Sequence, residues 1–180
     1  GLSAFAGGGL SNQAGAAGAV VVGGDTNVAT GSASFIGGGS GNVASAQEAI
    51  IVGGTGNEAS GKCSIVLGGQ DHCATGIYST VLGGVSNEST SANTTVGGGE
   101  SNTDTTAATC SFIGSGKGNT ISAPQTFIGG GCDNCISTNS GQSSILGGRS
   151  NRIFATSSCS VVGGGDQNCV SGSSAHSSIL

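Results

Sequence analysis

An asparagine recurs along this chain at positions 12, 27, 42, 57, 87, 102, 119, 134, 151 and 168, with His72 filling the one gap. The interval is 15 residues as far as Asn102, then 17, 15, 17 and 17. A short interval sustained over a whole chain constrains the fold more than any single motif. Each repeat is too small to bury a core alone, so repeats must stack on one another. A helical pair does not fit into such a repeat, and 38 glycines oppose helix on propensity.

Upstream of each Asn stands an apolar pair followed by glycine, as in SSILGGRSNRI from Ser143 to Ile153. Aligned on the residues that precede the glycines, the second member of the pair is aliphatic throughout, from Ala6 and Val22 to Val162 and Leu180. The first member is Phe5, Val21, Phe35, Ile51, Val66, Val81, Thr95, Phe112, Phe127, Ile145, Val161 and Ile179. Short β-branched runs bounded by Gly and Asn read as strands and corners. The expected fold is therefore all-β: a parallel β-solenoid, or β-roll, with two short strands and two turns per coil. About eleven coils of 15–17 residues, stacked at ~4.8 Å, make a rod ~50 Å long. We read residues 1–180 as one repeat domain and expect it to be a segment of a longer fibrous chain.

The punctuation has a physical reading. The Gly pair supplies a corner where φ is positive and a β-carbon does not fit. The Asn is expected to mark the second corner in the left-handed region, its side chains stacking into an amide ladder. Two residues after each Asn is a small column, Ala14, Ala29, Ala44, Ala59 and Ala74, which becomes Ile121, Ile136, Ile153 and Val170 in the later coils. Larger residues in longer coils are what an inward position shows when a coil widens.

Neighbours on a strand point to opposite faces. Both members of the pair are apolar, so one column must face out, and a lone rod would expose a continuous apolar stripe. We assign the outward, self-associating column to Phe5, Val21, Phe35, Ile51, Val66, Val81, Phe112, Phe127, Ile145 and Val161. A symmetric homo-oligomer is the usual solution.

The phrases SIVLGG (Ser64 to Gly69) and NEASGKCS (Asn57 to Ser64) resemble the head repeats of trimeric autotransporter adhesins, the YadA-like heads. That resemblance spans nearly the whole chain. It implies a left-handed parallel β-roll packed as a homotrimer through the outward strand residue. Doubled glycines, bulkier outward residues and seven cysteines depart from the adhesin pattern. The repeat also resembles Gly-Gly/Asn repeats in surface or fibre proteins of giant viruses and phages. The cysteines favour a virion or other extracellular fibre.

Cys63 and Cys73 are ten residues apart, as are Cys159 and Cys169, at matching places in the repeat. Two cross-coil disulfides are one reading, which requires an oxidising setting. Unpaired small surface residues are the other. Cys110 shares the earlier register without a partner, and Cys132 and Cys135 form a lone Cys-x-x-Cys, at best half of a zinc site. Asp25, Asp71, Asp133 and Asp166 stand near the glycines, but a calcium roll needs an Asp in nearly every turn and a nine-residue period. Asn87 and Asn93 begin glycosylation sequons, and Asn93 is the better candidate because Asn87 belongs to the repeating column.

Charged residues make up 7% of the chain and the net charge is −5, with Lys62, Lys117, Arg149 and Arg152 the only bases besides two histidines. Nothing here forms a basic stripe for nucleic acid, and no apolar run reaches the ~20 residues of a membrane span. No metal, cofactor or enzyme activity is expected, because nothing interrupts the repeat to build a pocket. The expected function is structural: a segment of a fibrous protein, extracellular or on a virion surface, whose partner is itself. The alternative is a head module that binds a host receptor or glycan, which a single Tyr, Tyr78, disfavours as a sugar-stacking site. Thr residues do not fall in the paired columns that an ice-binding face requires.

Overall fold

The computed structural model describes residues 2–172 and 174–180. Within them every element is a two-residue strand, and each strand pairs in parallel with its counterpart one coil away. Sheet 1 has 12 strands, from Phe5–Ala6 through Val20–Val21 and Phe35–Ile36 to Ser178–Ile179. Sheet 2 has 11, from Gln13–Ala14 to Cys169–Val170. The expected parallel β-solenoid is thus the observed fold, with about twelve turns. A third ladder, one residue wide, was not anticipated: it steps from Leu10 through Asp25, Ser40 and Thr55 to Asp166.

Two-residue strands send one side chain in and one out. Inside sheet 1 stand Val21, Ile36, Ile51, Val66, Val81, Val96, Ile113, Ile128, Ile145 and Val162, at most 1% exposed. Facing them from sheet 2 are Ala29, Ala44, Ala59 and Ala74, then Ser89 and Asp104, then Ile121, Ile136, Ile153 and Val170. The core is one continuous strip along the rod.

Coil length varies on one side only. From the inward residue of sheet 1 to that of sheet 2 is always eight positions, as from Ile36 to Ala44 and from Ile128 to Ile136. The return is seven positions in the shorter coils, as from Ala44 to Ile51, and nine in the longer, as from Ile136 to Ile145. The larger inward residues of sheet 2, from Ile121 on, all lie beyond the first longer return, which runs from Asp104 to Ile113.

The Asn column is not left-handed. The residue before it is, as at Asp71 (φ 54), Ser86 (φ 53) and Ser150 (φ 54). From there the Asn side chain turns inward and is buried, except at Asn12 and Asn168 near the ends, which are half-buried. Its Nδ2 donates to the carbonyl four residues back and to a glycine carbonyl of the next coil, at 2.7–3.1 Å. Its Oδ1 accepts the backbone N–H of the next Asn at 3.0–3.1 Å. The column therefore satisfies the corner backbone that would otherwise be buried without partners.

Only one member of each Gly pair is obligatory. Gly54 has φ 96, and a β-carbon there would run into the carbonyl oxygen of Gly69 one coil on. Gly53 beside it meets nothing within 4 Å.

A buried carboxylate joins the two coil lengths. In three of the shorter coils, two successive corner N–H groups share one carbonyl of the next coil, as Thr75 and Gly76 share Ser89 O. Against the first long return this carbonyl, Asp104 O, accepts the Thr90 hydroxyl at 2.6 Å instead of the two N–H groups. The Asp104 carboxylate takes them over: Oδ1 accepts from Thr90 N at 3.0 Å and Oδ2 from Ser91 N at 2.8 Å. Burial pushes its carboxyl up to about 6, against the opposing pull of those hydrogen bonds.

Candidate functional site

The outward face of sheet 1 carries the strongest surface feature. Its outward column is Phe5, Val20, Phe35, Ile50, Ile65, Thr80, Thr95, Phe112, Phe127, Ser144, Val161 and Ser178. The outward placement expected from the sequence is met at Phe5, Phe35, Phe112, Phe127 and Val161 and fails at Val21, Ile51, Val66, Val81 and Ile145. Those five point into the core and are 0% exposed. The error is a one-residue slip. In these coils an aliphatic residue takes the place of the first glycine of a Gly-Gly-Gly corner, so alignment on the glycines shifts the pair. The invariant ruler is the Asn: the inward residue stands six positions before it in every coil, as Val21 before Asn27 and Ile36 before Asn42.

The displaced aliphatics form a second outward column, Val22, Val52, Leu67, Leu82 and Leu146, each 44–56% exposed. The two columns compensate. Where the strand residue is Phe, as at Phe5, Phe35, Phe112 and Phe127, the residue two positions on is Gly. Where it is Val20, Ile50, Ile65, Thr80 or Ser144, that later residue is Val or Leu. At Gly7, Gly37, Gly114 and Gly129 an added β-carbon would run into a carbonyl oxygen of the next coil and come within 3.3–3.5 Å of the Phe ring edge. Most coils thus place at least one large apolar group at the same level on the same face, and the ridge continues from coil to coil. Phe112 and Phe127 stack within it, with ring centroids 5.7 Å apart and planes 10° apart. Thr95 with Gly97 is the one polar gap.

The cysteines do not pair: all seven are free. Cys63 and Cys159 stand in the corner before sheet 1, both at φ 56, whereas Cys73 and Cys169 lie on sheet 2 strands. Each is therefore stacked on residues of its own column. The Cys63 thiol donates to Glu48 Oε2 at 3.2 Å and the Cys159 thiol to Gln142 Oε1 at 3.3 Å. The Glu48 contact raises the Cys63 pKa. Cys73 is flanked across the ladder by Glu58 and Glu88.

The two ion pairs among the described residues both lie on the narrow third ladder. Lys117 pairs with Glu100 at 2.9 Å, and Arg149 with Asp166 at 2.6 Å, all well exposed. Such pairs contribute little stability. Of the two sequon asparagines, Asn87 is buried with its Nδ2 donating to Gly83 and Gly99, while Asn93 is exposed in the corner at φ 57. His72 occupies the Asn column as a near-isostere: its N–H reaches Asn57 Oδ1 and its Nδ1 accepts from Asn87 N, both at 3.0 Å. Its buried Nε2 finds no hydrogen-bond partner among the described residues, and burial lowers its pKa.

No protein-family model matches the chain, and no curated protein matches it.

Proposed function

We propose that this chain is a structural segment of a fibrous surface protein, a stiff spacer or attachment rod that works as a homotrimer outside the cell or on a virion. One observation carries the reading: the apolar ridge on sheet 1 runs most of the length of the rod without a partner. Phe5, Val22, Val52, Leu67, Leu82, Phe112, Phe127 and Leu146 are each 37–56% exposed. Together such half-exposed side chains present on the order of 700 Å² of apolar surface. That exceeds the patches typical of soluble monomers and approaches the ~800 Å² that each partner brings to a standard interface. The ridge is straight and repeats with the coil, so a second copy in parallel register meets it along its whole length. The likeness of the repeat to YadA-like heads supports three copies. Parallel pairing from end to end, a charged fraction of 7% and a satisfied corner ladder suit a mechanical role.

The test is native molar mass by light scattering, with and without reductant. The expected result is a trimer in both conditions, because the ridge and not the thiols makes the contact. Phe127→Asp and Leu67→Asp are expected to lower the mass with the circular dichroism unchanged. A monodisperse monomer in the parent chain would overturn the reading. Loss of the trimer on reduction alone would move the interface to the cysteines.

A further inference from the structure

The return corners in the second half of the rod change length in the order long, short, long. Asp104 to Ile113 spans nine positions, Ile121 to Ile128 seven, and Ile136 to Ile145 nine. The short corner sits back between its neighbours and leaves a notch of about 570 Å³. This volume is within the range that small-ligand sites occupy. The expectation that nothing interrupts the repeat to build a pocket fails here, since a change of length does so without breaking the columns.

Pro124, the only proline of the chain, lies in the floor. Its ring fixes the backbone and offers a flat apolar platform. Ala107 forms one wall, and Thr138 and Asn139 belong to the other. No charged side chain lines the notch. Its polar groups are carboxamides and hydroxyls, which both donate and accept. Several are uncommitted. The side chains of Ser122, Thr138 and Asn139 make no hydrogen bond among the described residues. The Asn139 backbone is held in place, its carbonyl accepting Thr156 N at 3.1 Å and Ser158 Oγ at 3.2 Å. Gln142 is pinned between Cys159 and Gln125, donating to Gln125 Oε1 at 3.3 Å. That contact leaves the Gln125 NH2 group to donate outward.

We propose that this notch binds a neutral saccharide. An anion finds no cation in it and a cation no carboxylate. A wholly apolar ligand leaves the hydroxyls and carboxamides without partners, which is costly. A neutral polyol meets all of the features: hydroxyls for the uncommitted donors and acceptors, and a C–H face for the proline. The proposal adds a recognition site to the rod and is independent of how many copies assemble.

The experiment is saturation-transfer NMR on the intact protein in its native assembly. The probes are neutral mono- and oligosaccharides at millimolar concentration, with sialylated and sulfated saccharides as the contrast. Gln125 and Asn139 stand at φ 56 and φ 58, so Gln125→Gly and Asn139→Gly delete the carboxamides without backbone strain. Each is expected to weaken binding about tenfold, the loss of one good hydrogen bond. Ala107→Trp, on an exposed corner, is expected to abolish it. Unchanged far-ultraviolet circular dichroism keeps the variants interpretable. The proposal is overturned if no neutral saccharide shows transfer, if charged saccharides bind equally well, or if the three substitutions leave binding unmoved. It is also overturned if they change the molar mass and not the binding, which would make the notch a contact between copies.

Discussion

The carboxylate of Asp104 accepts the backbone N–H of Ser91 from the preceding coil at 2.8 Å. This contact sits where shorter coils give way to longer ones, and it takes over from the Asp104 carbonyl, which accepts the Thr90 hydroxyl at 2.6 Å instead. A charge stands inside the core because two N–H groups there need an acceptor.

Its titration follows from this placement. The carboxyl is raised to about 6 from an ordinary 3.8, so the folded chain binds its proton more tightly than the unfolded chain does. The contribution to stability is then greatest below the ordinary value and is lost as the pH rises through about 6. Asp104→Asn should remove this limb, worth about 2–3 kcal/mol between the two extremes. Chemical denaturation of both proteins from pH 4 to 7 checks it. Parallel profiles would show that the carboxyl does not titrate in this range.

His72 acts with the opposite sign. Burial lowers its pKa below 6.5, so the folded state prefers the neutral ring. Stability from this site is present above 6.5 and lost as the pH falls through the lowered value. Protonated Nδ1 would also face the Asn87 N–H that it now accepts. His72→Asn restores two Nδ2 donors to the column and removes the unpaired Nε2. A gain of about 1–2 kcal/mol at pH 7 and a flatter acid limb are expected, measured by urea unfolding.

The Asn column should show how far coupling spreads along the rod. Asn102 donates to Gly98 and Gly116, both at 2.8 Å, and accepts from Asn119. Asn102→Ala strands these groups in the middle of the core and should cost about 3 kcal/mol or more. Asn12→Ala, in an exposed first coil, should fray that coil alone. Hydrogen exchange read coil by coil distinguishes a central break from a frayed end.

Adjacent glycines should differ sharply. Gly54→Ala meets both a positive φ and a blocked β-carbon, and a loss of several kcal/mol is expected. Gly53→Ala has open space around it, and its effect should lie within about 0.5 kcal/mol of neutral. Thermal melts of the two variants make the comparison.

The register correction has its own test. Val21 is 0% exposed and Val22 50%. Val21→Asp should unfold the coils around it, while Val22→Asp should leave the melting temperature nearly unchanged and act, if at all, on molar mass.

Much of the fold was legible before any coordinates. The Asn spacing, the aliphatic columns and the switch from Ala74 to Ile121 follow from burial, which selects residue size position by position. The slip at Val21, Ile51 and Val66 arose because glycine was used as the anchor. Glycine recurs at the last place of the corner, whereas the first place is Gly7 or Gly37 in some coils and Val22, Val52 or Leu67 in others. Asn is required for four hydrogen bonds at once and cannot move. Asp104 carries no such signal: its column reads as small and apolar, and its role depends on a corner that two neighbouring coils define together. The left-handed residues Glu48, Cys63, Tyr78 and Asn93 share no side-chain property, since only their backbone matters, and so they leave no signature in composition.

Every coil crosses from sheet 1 to sheet 2 in eight positions, and all variation in length falls on the way back. One margin of the rod is thus a fixed spine that keeps the axial step constant, and the opposite margin is open to revision. Residues can be added or removed there without shifting any ladder, because the next coil is re-registered at its own Asn before the change propagates. A rod built this way can acquire different local surfaces at chosen heights without shifting its ladders, and the recess at Pro124 is one place where that freedom has cut inward.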